Sequence, residues 1–207
     1  MQRTPSGGTL EVARLVDAEF ADQIAAQPGF VWYAFLDCGR DVMTISVFRE
    51  RDQAVGSREL ARGWIEQRMS DFDLTLTEAL DGSIPVSRAA PELLQPAAGW
   101  FARVRRYKLG EADLGEFVWR VVDHRIAERI AGLDRFVAYL VFSSGTGELA
   151  TVSVFQDPSS ASASDELGLA FVRYELDDLD LDHTDAIGGG KIVVSRVNQT
   201  LLEPIHP

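Results

Sequence analysis

The chain is poor in the residues that staple small folds or load them with metal. Among its 207 residues there is one cysteine, Cys38, so an internal disulfide and a multi-cysteine metal site are both excluded. Three histidines and a single asparagine, Asn198, leave few side chains for acid–base or amide chemistry. No apolar run reaches the roughly 18 residues of a membrane span. Residues 1–8 lack the apolar stretch of a secretory leader. Lysine and arginine are outnumbered by aspartate and glutamate, 20 to 32, for a net charge of -12. That balance excludes the basic footprint of a nucleic-acid binder and opposes docking on anionic membranes. A lone thiol and no leader make the cytoplasm the expected location.

What the chain does contain is a copy of itself, a pattern that takes precedence in reading any sequence. At an offset of 106, Val16-Asp17 matches Val122-Asp123 and Ile24-Ala25 matches Ile130-Ala131. Phe30-Val31-x-Tyr33 matches Phe136-Val137-x-Tyr139, and Gly39 matches Gly145. At 107, Thr44-Ile45-Ser46-Val47-Phe48 matches Thr151-Val152-Ser153-Val154-Phe155, and Ser57-x-Glu59-Leu60 matches Ser164-x-Glu166-Leu167. At 108, Val86-Ser87-Arg88 matches Val194-Ser195-Arg196. Charge divides evenly too, -6 in residues 1–99 and -6 in 100–207. The expectation is one unit over 1–90, a proline-bearing linker over 91–99, and a second unit over 100–207.

Each copy reads as βαββαβ, an α+β class fold. In the second, Phe101 to Leu109 is a strand, and Asp113 with Glu116 opens a helix carrying Val121, Val122, Ile126 and Ile130 at 3.6-residue spacing. Phe136 to Ser143 and Leu149 to Gln156 form a hairpin about Ser144–Gly147. A helix then starts at Ser164, and Ile192 to Val197 is the last strand. The first copy repeats this plan, except that its helix, Thr9 to Gln27, begins so early that its first strand is short or missing. The tail, Gln199 to Pro207, is one candidate for that slot. Phe30, Trp32 and Ala34 alternate with Val31, Tyr33 and Phe35, so both sheet faces should be covered. Helices cover one. The sheet of the other copy is the simplest cover for the second, which makes a barrel from one chain.

Pro28-Gly29-Phe30-Val31-x-Tyr33, Thr44-x-Ser46-Val47-Phe48, Ser57 and Trp64-Ile65 resemble the antibiotic biosynthesis monooxygenase-like domains. So does Val104-Arg105-Arg106-Tyr107 with the copy that follows it. The resemblance spans nearly the whole chain, twice. It implies the dimeric α+β barrel superfamily, here as two tandem ferredoxin-like units paired within one chain. Such domains usually pair as homodimers, so this chain is expected as a monomer or a further homodimer. The superfamily includes cofactor-independent oxygenases, haem-degrading enzymes, isomerases and peroxidases. The resemblance implies a monooxygenase-like protein that binds a small hydrophobic or aromatic molecule without metal or flavin. A non-catalytic ligand-binding or stress-related protein is the alternative, and haem binding the third reading.

The resemblance implies a pocket between the helices and sheet of each half, with Tyr33, Trp64, Trp119, His124, Tyr139 and Phe171 as candidates for its lining. Trp64 and Phe171 occupy matching positions, as do Tyr33 and Tyr139. Trp64 can take the tryptophan role of the oxygenase and haem-degrading patterns. The asparagine those patterns place on the first strand is absent. His124 is the weak axial candidate for haem. His183 follows an acidic run and His206 lies in the tail. That run, Asp177 to Asp185, has His183 and Gly189 where an EF-hand needs glycine and glutamate, so no metal is expected. Gly188-Gly189-Gly190-Lys191 lacks the phosphate-loop spacing and reads as a turn. Arg103, Arg105, Arg106 and Lys108 form the one basic cluster, fit for a ligand carboxylate or for ion pairs with the acidic surface. Cys38 has no activating neighbour in sequence and reads as a bystander.

Overall fold

The structure, a computed structural model, describes residues 2–3, 8–72, 74–77, 79–95, 99–109, 116–144, 148–175 and 181–198. It is a mixed α+β fold in which every described strand pairing is antiparallel. The chain divides into two compact units that interleave in sequence. Unit 1 takes the stretch up to Ala79, the short Leu94–Gly99 segment and the stretch from Gly190. Unit 2 takes Leu80–Leu93 and Trp100–Gly189.

In unit 1, α1 (Thr9–Leu15) passes through a π-helical turn (Val16–Phe20) into α2 (Ala21–Ala25). Val12, Val16, Phe20 and Ile24 recur at helical spacing and are all buried. The strands β2 (Phe30–Asp37) and β3 (Asp41–Phe48) form a hairpin, turned by Gly39 at φ 85°. The next helix, α3 (Arg51–Arg68), is opened by a capping box in which Glu50 and Gln53 satisfy each other's backbone N–H groups. On the outer edge of β3, β1 (Gln2–Arg3) meets only Val42 and Asp41, and β4 (Thr75–Leu76) pairs with β1. Residues 191–197 of β9 (Leu181–Val197) pair along the other edge of β2, with Ala34 opposite Ser195. The core joins Val12, Phe20, Tyr33, Phe35, Trp64 and Val194. Trp32, Ala34 and Leu36, in the alternate register of β2, are buried as well.

Unit 2 orders its strands β5 (Ser83–Ala89), β7 (Phe136–Ser143), β8 (Glu148–Phe155) and β6 (Phe101–Leu109). Between β6 and β7, α4 (Glu116–Val121) runs through a second π-helical turn (Val122–Ala127) into α5 (Glu128–Ala131). The last helix, α6 (Pro158–Glu175), has proline at its first position, where no N–H is needed. Asp157 caps it, accepting from the Ser160 N–H at 2.9 Å. Val86, Ile126, Tyr139, Phe155 and Phe171 lie in one core.

The structure corrects three expectations. The helix expected from Ser164 starts at Pro158, because Asp157-Pro158 is the stronger start signal. The last strand begins at Leu181, well before Ile192. The glycine triplet is therefore not a turn but part of that strand. A Cβ on Gly189 would lie 2.4 Å from the Ala102 carbonyl oxygen, and one on Gly190 would lie 2.2 Å from that of Asp37. Glycine is used there for close backbone approach. Asp113, Gly145–Gly147, the side chains of the acidic run with that of His183, and the tail with His206 lie outside the described residues.

One backbone position carries an unexpected residue. Gly29, at φ 69°, leaves no room for a side chain beside Gln53, yet Arg135 stands at the aligned position with φ 61°. A left-handed arginine costs about 1 kcal/mol relative to glycine. Arg135→Gly is expected to raise stability by up to about 1 kcal/mol in urea unfolding, less the glycine's own entropy cost.

Candidate functional site

A pocket of about 400 Å³ opens in unit 1 between the α1–α2 helix pair and α3. Its size falls in the range of small-molecule sites. The wide turn contributes Glu19, and α2 contributes Gln23. From α3 come Glu59, Leu60, Gly63, Trp64, Gln67 and Arg68, which recur at three- and four-residue spacing and so share a face. Trp64 is 9% exposed and is the buried part of this lining. Its ring lies 5.0 Å from that of Phe20, which meets Tyr33 edge-on at 5.9 Å. The Trp64 indole N–H is buried and has no hydrogen-bond partner among the described residues. The Trp32 indole, by contrast, donates to the Ser195 hydroxyl at 3.1 Å.

Glycine is a poor choice mid-helix, yet Gly63 sits there with open space where its Cβ would be. Gly63→Ala is expected to raise thermal stability by roughly 0.5–1 kcal/mol. A long side chain at the same place would project into the pocket. The outer rim is polar. The Arg68 guanidinium clamps the Glu19 carboxylate with two hydrogen bonds of 2.7 Å, tying the two helices together. The hydrogen bond from Arg68 holds the Glu19 carboxyl below its usual range, and the same pairing raises Arg68.

Unit 2 carries the same clamp with its charges reversed. Glu175 on α6 accepts from Arg129 at 2.6 Å and from Arg125 at 3.1 Å. Partial desolvation opposes ionisation of Glu175, but the bonds from Arg129 and Arg125 outweigh it and lower its pKa. Deeper in, Arg105 is 3% exposed. It donates to Ser153 at 3.1 Å and Ser164 at 2.7 Å, and pairs with Asp165 at 2.6 Å. Its Nε has no partner among the described residues. Burial pushes the Tyr107 and Tyr139 phenols above their usual range, although the Arg105 charge pulls both down. Burial does the same to Tyr33. None of the three is poised to lose a proton near neutral pH.

The sequence candidates thus fall into two groups and an outlier. Tyr33 and Trp64 share the core of unit 1. Tyr139 and Phe171 share that of unit 2, with Trp119 packed against it. The His124 side chain is 69% exposed, 3.8 Å from Glu128, and is brought to none of the others. Of the basic cluster, Arg103 pairs with Asp165 and Arg106 with Glu148, so these are ion pairs of the protein itself. Burial and the neighbouring Asp37 and Asp41 raise the Cys38 thiol to about 11. Cys38 is therefore expected to react slowly with iodoacetamide at neutral pH, with the rate climbing towards pH 11. Among the described residues, no three histidine, cysteine, aspartate or glutamate side chains are grouped to hold a metal ion. No described helix is long and apolar enough to cross a membrane.

Sequence reasoning missed Glu19, Phe20, Gly63 and Arg68. For two of them the sequence held a pattern of charge: Glu19 and Arg68 are opposite in sign, and so, at offsets of 106 and 107, are Arg125 and Glu175.

No protein-family model and no curated protein sequence matches the chain. Solved structures do match. One, described as a "putative monooxygenase" from Lactobacillus acidophilus NCFM, is 14% identical with a TM-score of 0.67, over 95% of this chain and 94% of that one. Another, described in the same words, from Fusobacterium nucleatum subsp. nucleatum ATCC 25586, is 7% identical with a TM-score of 0.68, over 95% and 91%. At such identities the likeness is one of fold, and it runs through both halves of the chain.

Proposed function

We propose that this protein is a monooxygenase-like binder of a small hydrophobic or aromatic molecule, held in the unit 1 pocket. The carrying observation is the pocket itself, lined by Trp64, which Phe20 backs at a tilt of 34°, and by a glycine that leaves it open. The "putative monooxygenase" neighbours support the same direction by fold. Titration with the neutral fluorophore N-phenyl-1-naphthylamine tests it. Emission should rise on binding to the wild type, and Gly63→Leu should abolish the rise while the protein still melts cooperatively. Undiminished binding by Gly63→Leu would refute the pocket.

A non-catalytic role is the second reading, and one observation favours it. Among the described residues no asparagine stands on β6, and β1 is only Gln2–Arg3, so the amide of the oxygenase pattern has no counterpart. Oxygen uptake with an electron-rich phenol, measured without added metal or flavin, separates the readings. Uptake lost in Trp64→Phe supports the oxygenase, and binding with no uptake supports the carrier.

The same proposal takes the chain as two tandem ferredoxin-like units, 1–90 and 100–207 about a 91–99 linker, paired as one intrachain dimer. Several paired details support it. The wide turns Val16–Phe20 and Val122–Ala127 align, as do the left-handed Gly29 and Arg135. Gly82 abuts the Ser143 carbonyl as Gly190 abuts that of Asp37. Light scattering should then return the mass of one chain, 22.8 kDa.

A further inference from the structure

The pocket's helix pair is gripped from a distant part of the chain. Arg196, on β9, reaches Asp22 at 2.6 Å through Nε and Asp17 at 3.0 Å through Nη1. Its Nη2 also donates to the Asp17 main-chain carbonyl at 3.4 Å. Asp17 lies within the wide turn, and Asp22 lies just beyond it. Between them come Glu19, which forms the pocket rim, and Phe20, which carries Trp64. The guanidinium fork thus spans the segment that shapes one pocket wall. A π-helical turn is a wide, weakly determined piece of helix, and such turns concentrate where function needs an irregular backbone. An external arginine thus binds one residue inside the turn and one just beyond it.

Unit 2 uses the same device. Arg88, on β5, pairs with Asp123 at 2.7 Å and donates to the Asp123 carbonyl at 3.3 Å. Arg88 and Arg196 align in the repeat, as do Asp123 and Asp17. In each case the arginine comes from the sequence half opposite to the turn it holds. The recurrence marks the contact as part of the architecture rather than a chance surface pair.

We propose that Arg196 is a positioning residue for ligand binding: by clamping Asp17 and Asp22 it sets the wide turn, and through Glu19 and Phe20 it sets the pocket. This rests on the pocket reading above. Arg88 provides a matched control, because it makes the equivalent clamp in unit 2.

The test compares N-phenyl-1-naphthylamine affinity and thermal midpoint across full-length variants. Arg196→Gln should weaken the fluorophore by about four- to fivefold, the upper end for ion pairs whose carboxylates are 57% and 83% exposed. Arg88→Gln should lower the midpoint comparably but change the affinity by less than about twofold. Arg196→Lys, which keeps the charge and loses the fork, should fall between wild type and Arg196→Gln. The Trp64 indole N–H resonance should move in ligand-free Arg196→Gln and stay in place in Arg88→Gln. If Arg196→Gln does not fold, Asp22→Asn, which removes one exposed carboxylate, should still weaken the fluorophore and move that resonance. Equal weakening by Arg196→Gln and Arg88→Gln, or an unchanged affinity in Arg196→Gln, would overturn the inference. Binding that survives Gly63→Leu would overturn the pocket reading instead, and this inference with it.

Discussion

Val194→Asp is expected to unfold unit 1, with loss of the cooperative signal from residues 30–48, although residue 194 lies near the far end of the chain. Val194 is 4% exposed and sits opposite Phe35 in the strand register. Its side chain belongs to the same core as Val12, Phe20 and Trp64. An aspartate there would bury a carboxyl among apolar groups, at a cost of several kcal/mol, on the order of the whole stability of a small domain. The pH dependence follows. Burial would raise the folded-state pKa of the new carboxyl above its unfolded value. The folded form would then hold a proton that the unfolded chain releases, so the damage should grow as pH rises above the ordinary carboxylate range. Hydrogen exchange read by mass spectrometry locates the effect. Protection should vanish first in β2 and β3 and persist in β7 and β8. Lys191→Asp, at an exposed position of the same strand, is the control, and its protection pattern should match the wild type.

Asp165→Ala is expected to cost about 3 kcal/mol, because it leaves the buried Arg105 charge without its carboxylate. The lower end of the range for a broken buried pair is appropriate, since the Asp165 side chain is 32% exposed and water screens part of the interaction. Arg105 would keep its bonds to Ser153 and Ser164, which limits the loss. The double variant Arg105→Met, Asp165→Leu should recover most of it, as apolar side chains of similar volume replace a desolvated ion pair at little cost. Urea unfolding of the two single variants and the double gives the coupling directly. A double variant as unstable as the sum of the singles would show that Arg105 does not need the pair and that its hydroxyl contacts carry the site.

Much of the secondary structure was legible because its causes are local. The apolar spacing of Val12, Val16, Phe20 and Ile24 gives a helix, and the β-branched runs about Gly39 give a hairpin. Asp157-Pro158 is as local a signal, and it outranks Ser164 as a helix start. The candidate site was legible only in part. Trp64 and Tyr33 stood out as aromatics at repeated positions, but aromatic content does not distinguish a core from a pocket. What makes the difference is Gly63, whose missing side chain leaves a volume, and Glu19, which reaches Arg68 across a helix pair. A glycine inside a helix reads in sequence as a mere weak point. Arg105 read as part of a basic surface cluster. Its burial follows from the pleat, which turns alternate residues inward, and from Ser153 and Ser164, which meet it there.

By itself the sequence determined most of the element types and the even division of charge between its halves, because periodicity, turn chemistry and composition act over a few residues. Only the tertiary structure decided which strand completes which core. Val86 serves the core of unit 2 and Val194 that of unit 1. The physical reason is that any strand carries the same backbone donors and acceptors wherever it docks. Its choice of partner is made by contacts distant in sequence: a glycine against a carbonyl, a valine in an apolar gap, an arginine on the aspartate of a wide turn.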